Sequence, residues 1–243
     1  SLYHMSERYI IRDRDDSRSI YELPQERFLM IALAVSRKEK QENRMQVVKD
    51  LYNKLSTLAI TMATPTFSNA GKPDGQYSSC FVLTTADSLK SIYDDNTDVA
   101  TLSKYGGGIG IYVGKLRGKG SDIRGHKGVS GGIVGWLKQL DNTAVSVDQL
   151  GQRKGAIAAY LDIWHSDIYD FLELRLNTGD LSKRAHNLFT GVCLPDEFMR
   201  QVDKRGDWFL FDPYKIKKVM GFSLEDFYDE DELEDLQDDP NAY

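Results

Sequence analysis

The chain has 243 residues, 41% of them hydrophobic and 28% charged, which excludes a disordered chain, a collagen and a coiled coil and allows one large domain or two small ones. No apolar run reaches eighteen residues and no signal peptide opens the chain, so neither a membrane span nor secretion is expected, and the default compartment is the cytoplasm. The net charge of −6 is uneven: the segment from Glu225 to Asp239 holds ten acids and no base, and the remainder carries 31 bases against 27 acids, too weak and scattered a surplus for a nucleic-acid binder.

Residues 1–5 read as an expression remnant. Apolar residues at helical spacing predict helices over Glu26–Ser36 and Gln41–Leu58, so residues 6–60 form a helical segment. Pro65, Asn69-Ala70-Gly71 and Pro73-Asp74-Gly75 predict loop from Thr61 to Tyr77. A strand follows at Cys80–Thr84, then a helix capped by Asp87-Ser88 and running to about Leu102, then a strand at Ile109–Val113. Ile133–Val147 is helix, Ala156–Ile163 strand, Ser166–Leu176 helix and Leu188–Leu194 strand. Pro195-Asp196 opens another helix, and Trp208–Phe211 is a candidate fifth strand. Residues 214–243 read as an acidic helical or irregular end, with the chain stopping in mid-domain. Strands alternating with helices predict an α/β fold of parallel strands and crossover helices, with ligands at the carboxyl ends of the strands.

Fourteen of the 20 glycines fall between Gly106 and Gly155, interleaved with Lys104, Lys115, Arg117, Lys119, Arg124, Lys127, Arg153 and Lys154. Glycine lets backbone N–H groups approach a ligand, and arginine and lysine suit phosphate oxygens. Neither GxGxxG nor GxxxxGK[ST] occurs, so tight turns are the competing reading. Asp87 suits either a ribose hydroxyl or a helix cap. The two cysteines are too few for a disulfide scaffold. Cys80, at a strand mouth, is either an apolar filler or a redox thiol, and Cys193, in an apolar run, reads as core. Trp164-His165-x-Asp167 reads as packing with a capping aspartate, and no metal-ligand spacing is present.

Several ordered motifs carry a resemblance: Ala63-Thr64-Pro65-Thr66, Ser78-Ser79-Cys80-Phe81, Asp87-Ser88-Leu89, Ser103-Lys104-Tyr105-Gly106-Gly107-Gly108, Arg117-Gly118-Lys119-Gly120-Ser121, Asp148-Gln149-x-Gly151-x-Arg153-Lys154, and Tyr160-Leu161-Asp162-Ile163-Trp164-His165. Together, over most of Glu7 to Pro213, they resemble the large (alpha, catalytic) subunit of ribonucleotide reductase. The resemblance implies half of a ten-stranded α/β barrel over residues 61–213, preceded by the helical segment. It implies reduction of the ribose 2′-carbon through a thiyl radical, with Cys80 as one member of the reducing pair. Thr64, Ser79 and Gly107 match substrate-binding positions. Asp87, Ser88, Leu89, Lys104, Arg117 and Arg124 match the site for a nucleoside triphosphate effector, and Gln149 and Arg153 match the loop that relays effector identity to the substrate.

The finger-loop cysteine, the second reducing cysteine, the radical-transfer tyrosines, the C-terminal dithiol tail and the N-terminal ATP cone are not in this sequence. The expectation is therefore a fragment or split half, inactive alone and binding no cofactor of its own. The implied partners are the C-terminal half, a second large subunit, a radical-generating di-metal small subunit (class I) and a thioredoxin- or glutaredoxin-type reductant. A cobalamin-dependent class II half, using adenosylcobalamin, and a non-catalytic nucleotide-binding module are the alternatives.

Overall fold

The computed structural model describes residues 5, 9–13, 19–73, 75–104, 107–147 and 156–227. They fall into two compact units: residues up to Phe81 with Gly107, and Val82–Lys104, Gly108–Val147 and 156–227.

The first unit is helical. Helix α1 (Pro24–Val35) has proline in its first turn, where the missing N–H costs nothing, and packs against α2 (Gln41–Ser56). The predicted loop 61–77 contains a further helix, α3 (Thr64–Asn69). Pro65, taken above as a loop signal, sits in its first turn and starts it. Phe28, Ile31, Leu55, Phe67 and Ala70 form the core. The fully buried Arg27 donates to the Ala70 carbonyl and lies 3.4 Å from Glu22, tying α1 to the end of α3.

The second unit is built on the sheet. The strands β1 (Cys80–Thr84), β2 (Gly108–Tyr112), β3 (Ala156–Asp162) and β4 (Leu188–Cys193) lie in the order β1-β2-β3-β4. β2–β3 and β3–β4 pair in parallel, with Ile109 opposite Ile157 and Ile157 opposite Leu188. Parallel neighbours need crossovers. Helices α4 (Leu89–Lys104) and α5 (Val134–Ser146) lie on the chain between β1, β2 and β3, and the short α6 (Ile168–Leu172) lies between β3 and β4. Ile109, Ile111, Ile157, Ala159, Leu161 and Leu188 face a core shared with Val99, Leu137, Leu140, Ile168 and Phe171. The opposite face carries Tyr160 and Phe189, both exposed.

Two expectations are corrected. The predicted helix 166–176 is helical only over Ile168–Leu172, because the backbone turns so that the Leu174 carbonyl accepts from Ala185 N–H. The fifth strand is, among the described residues, a single parallel bridge between His165 and Phe211. Helix α7 (Asp196–Lys204) follows β4, and a further helix, α8 (Pro213–Met220), lies at the start of the segment read as helical or irregular. Asp212 caps it by accepting from Tyr214 N–H, Pro213 occupies its first turn, and Gly221 ends it at φ +83°. No described helix is long and apolar enough to cross a membrane.

Candidate functional site

The segments that follow β1, β2 and β3 converge at the carboxyl ends of the strands. Thr85 N–H donates to the Tyr112 carbonyl, which brings the ends of β1 and β2 side by side. Asp87 follows β1, and its carboxylate takes Arg117 Nε at 2.8 and 3.1 Å and the Arg117 backbone N–H at 3.2 Å. Nη2 adds an ion-pair contact of 2.8 Å. Both side chains are about three-quarters buried, a setting in which a forked guanidinium–carboxylate pair holds its geometry. Arg117 Nη1 donates to the Asp122 carbonyl, and the guanidinium lies 4.3 Å from the centroid of the Tyr214 ring.

Asp87 is therefore not the helix cap. Ser88 does that work: its hydroxyl accepts from Ser91 N–H at 3.2 Å. Leu89 opens α4 with its side chain exposed, and Lys104 closes that helix, also exposed, where a cation suits the helix dipole. Arg124 stands at the tip of a two-residue turn. Ile123 and His126 exchange both backbone hydrogen bonds at 2.9 Å, with φ +48° at Arg124 and +84° at Gly125. Such a turn demands positive φ at both central positions, which an arginine meets only at a cost.

The loop that carries Arg117 and Arg124 is pinned by two buried carboxylates. Asp167 accepts from Lys119 N–H (2.9 and 3.1 Å) and from Ile133 N–H (3.1 Å). Asp212 accepts from Gly118 N–H at 3.3 Å and from the Ser121 hydroxyl. His165, fully buried, receives Asp167 N–H on Nδ1 at 3.0 Å, so its Nε2–H donates to the Leu116 carbonyl at 2.8 Å. Asp167 thus caps no amide of its own helix; it holds the loop, correcting the capping role expected for it. Gly132 shows why glycine is needed here: its φ is +75°, and a Cβ would collide with Asp167 Oδ2. Neither Asp167 nor Asp212 was singled out as a site residue. The loop partners of Asp167 lie 48 and 34 positions away and those of Asp212 lie 94 and 91 away, beyond any local pattern; the one local signal, Asp-Pro at a helix start, points to a cap and not to the loop.

In the first unit, Thr64 opens α3, with its hydroxyl 3.5 Å from that of Tyr9. Ser79 Oγ and Cys80 Sγ are 3.6 Å apart, and Cys80 is exposed. Gly107 is buried. Gln149 and Arg153 lie outside the described residues. Cys193 is half-buried rather than core: it ends β4 beside Asp162 in the register, while its neighbour Val192 packs on the core. Burial first, and the Asp162 carboxylate second, push its thiol pKa up. Asp162 is fully buried and accepts from the Tyr112 hydroxyl. Among the described residues no three His, Cys, Asp or Glu side chains gather as a metal site.

A parallel sheet with crossover helices, and with the Asp87–Arg117 pair and a braced glycine loop beyond its strand ends, defines a class: an α/β domain of the parallel kind. Two family models then match in tandem, "Ribonucleotide reductase, all-alpha domain" over residues 1–75 and "Ribonucleotide reductase, barrel domain" over residues 78–239. The chain belongs to the ribonucleotide reductase family, and its sheet and helices form part of an α/β barrel domain preceded by a helical one. The ribonucleoside-diphosphate reductase subunit alpha of Treponema pallidum is 50% identical over 233 residues, covering 95% of this chain and 27% of that protein. The subunit alpha of Synechocystis is 40% identical over 209 residues (86% and 27%). The large subunit of Trypanosoma brucei brucei is 42% identical over 220 residues (88% and 26%). The chain therefore spans about a quarter of the length of these relatives.

Two outcomes are expected. Asp167→Asn replaces one acceptor oxygen by an NH2 donor that faces the N–H of Lys119 or of Ile133, so it should lower stability to urea by about 1–3 kcal/mol and speed hydrogen exchange at one of them; unchanged exchange at both would show that the carboxylate does not hold the loop. Alkylation of Cys193 by iodoacetamide, followed by mass spectrometry against pH, should have its midpoint above that of the unfolded chain, because a raised pKa leaves less thiolate at any lower pH. Asp162→Asn should bring the midpoint back only partly, since burial is the larger cause.

Proposed function

We propose that this chain supplies substrate-binding residues, one redox thiol and the specificity-effector site to a ribonucleoside-diphosphate reductase of class I. The observation that carries this reading is the Asp87–Arg117 pair on a loop braced by buried carboxylates, at residues the family resemblance assigns to the effector. Asp87 would exchange part of its hold on Arg117 for a ribose hydroxyl. Arg117 and Arg124 would take the phosphates, with Lys104 adding charge and Ser88 and Leu89 bounding the sugar and base.

Cys80, exposed beside Ser79, would be one of two thiols that deliver the electrons. In the overall reaction two thiols lose two hydrogens, one disulfide forms, the 2′-hydroxyl leaves as water and the 2′-carbon gains a hydrogen. Thr64, Ser79 and the backbone at Gly107 would hold the nucleoside diphosphate. The second thiol and the radical cysteine would come from the remaining part of an alpha subunit. A di-metal small subunit would supply the radical, a thioredoxin- or glutaredoxin-type protein would restore the dithiol, and two large subunits would associate.

Calorimetry with dATP, dTTP and dGTP should detect binding that Asp87→Ala or Arg117→Ala weakens at least tenfold, as expected for losing a charged hydrogen-bonding group. Binding equal in all three proteins would remove the effector site from these residues. Nucleotide reduction, with the remaining part of an alpha subunit, a small subunit and a dithiol supplied in trans, should vanish in Cys80→Ser. Turnover that survives this change would withdraw Cys80 from the reducing pair.

A further inference from the structure

The first turn of α8 reaches the Arg117 loop at two points, and neither belongs to the motifs that carry the family resemblance. Asp212 holds Gly118 and Ser121 of the loop and also Tyr214 N–H at 3.1 Å. One buried carboxylate therefore ties the Tyr214 backbone to the backbone beside Arg117. The Tyr214 ring lies under the Arg117 guanidinium, 4.3 Å from Cζ to centroid. Lys218, one turn along α8, lies 5.8 Å from the same ring and 3.7 Å from the Asp122 carboxylate, and Asp122 also gives Arg117 its carbonyl. We propose that Tyr214 is a positioning residue for the effector's phosphates, acting through Arg117; this rests on the effector reading of Asp87 and Arg117.

The geometry states how it would act. Guanidinium carries five N–H donors in one plane. The described contacts engage Nε and Nη2 with Asp87 and Nη1 with the Asp122 carbonyl. Nη1 and Nη2 each carry a second N–H in the same plane. With the aromatic face covering one side, that plane cannot tip, so the remaining donors keep one direction. A phosphate oxygen arriving at the edge then meets a fork already oriented, and little arginine freedom is left to lose on binding. Without the ring, the guanidinium can rotate about its long side chain, and part of the binding free energy goes into re-ordering it. The phenolic hydroxyl has no part in this; the ring face alone matters.

The test is dTTP binding to the 243-residue chain by calorimetry, in a double-mutant cycle. Tyr214→Leu should weaken dTTP by about threefold to thirtyfold, the range of an arginine–ring contact between exposed and desolvated settings. Tyr214→Phe should stay within about twofold of wild type, since it keeps the ring. Arg117→Lys keeps the charge but lacks the planar fork, so adding Tyr214→Leu to it should change binding less than twofold. An equal loss from Tyr214→Leu in both backgrounds would make the tyrosine merely structural and overturn the proposal. So would a wild-type affinity in Tyr214→Leu while Arg117→Lys is weakened. A wild-type chain that binds no dTTP would overturn the effector reading itself, an outcome distinct from either of these.

Discussion

The arrangement depends on two buried carboxylates that accept hydrogen bonds from the backbone of a glycine-rich loop. Gly118, Lys119 and Ile133 have no strand or helix neighbour to take their N–H groups, and burying them unpaired would cost about 1–3 kcal/mol each. Asp167 and Asp212 answer that need from segments 48 and 94 residues distant. An ionised oxygen is the stronger acceptor, which suits a loop short of side-chain packing. Glycine in the loop is then a requirement of contact as well as of turning, since the Asp167 oxygen occupies the space of a Cβ at Gly132.

This bracing gives the sheet its functional edge. Parallel strands bring all their carboxyl ends to one side, so the residues after β1, β2 and β3 meet without any designed loop path. Asp87, Arg117 and His165 come from three such ends, and Phe211 adds backbone bonds to Trp164 and Ser166 from the segment before α8. The cations of the loop do not face open water unguided. Arg117 is held in its plane by a carboxylate, a carbonyl and a ring, whereas Arg124 is presented on a strained turn at the loop's tip.

One face of the sheet packs on helices of its own unit, and the other carries exposed aromatic rings. Ile109, Ile157 and Leu188 pack under α4 and α5, while Tyr160 and Phe189 on the other face are exposed. Parallel sheets are normally covered on both faces, and a barrel covers the second by closing on itself. The match to a barrel-domain family agrees with a sheet of this kind. Cys80 and Cys193 differ in this setting: one is exposed at the first residue of β1, the other half-buried beside a buried carboxylate at the end of β4.

Sequence by itself determined the α/β alternation, the extents of α1, α2, α4, α5 and β1 to β4 to within a few residues, and the list of cations in the glycine-rich segment. These rest on local periods, caps and composition, which neighbouring residues decide among themselves. It misread Pro65 as a breaker, extended α6, and left α8 open between helix and irregular chain, because a proline or an aspartate signals either a loop or a helix start until packing selects one. Only the tertiary structure decided the partners of the site. That Asp87 pairs with Arg117 instead of capping α4, that Asp167 and Asp212 hold the loop, and that Tyr214 underlies Arg117 all join residues 30 to about 100 positions apart. A carboxylate accepts equally well from any amide brought within reach, so its identity in the chain carries no record of which one the fold will bring.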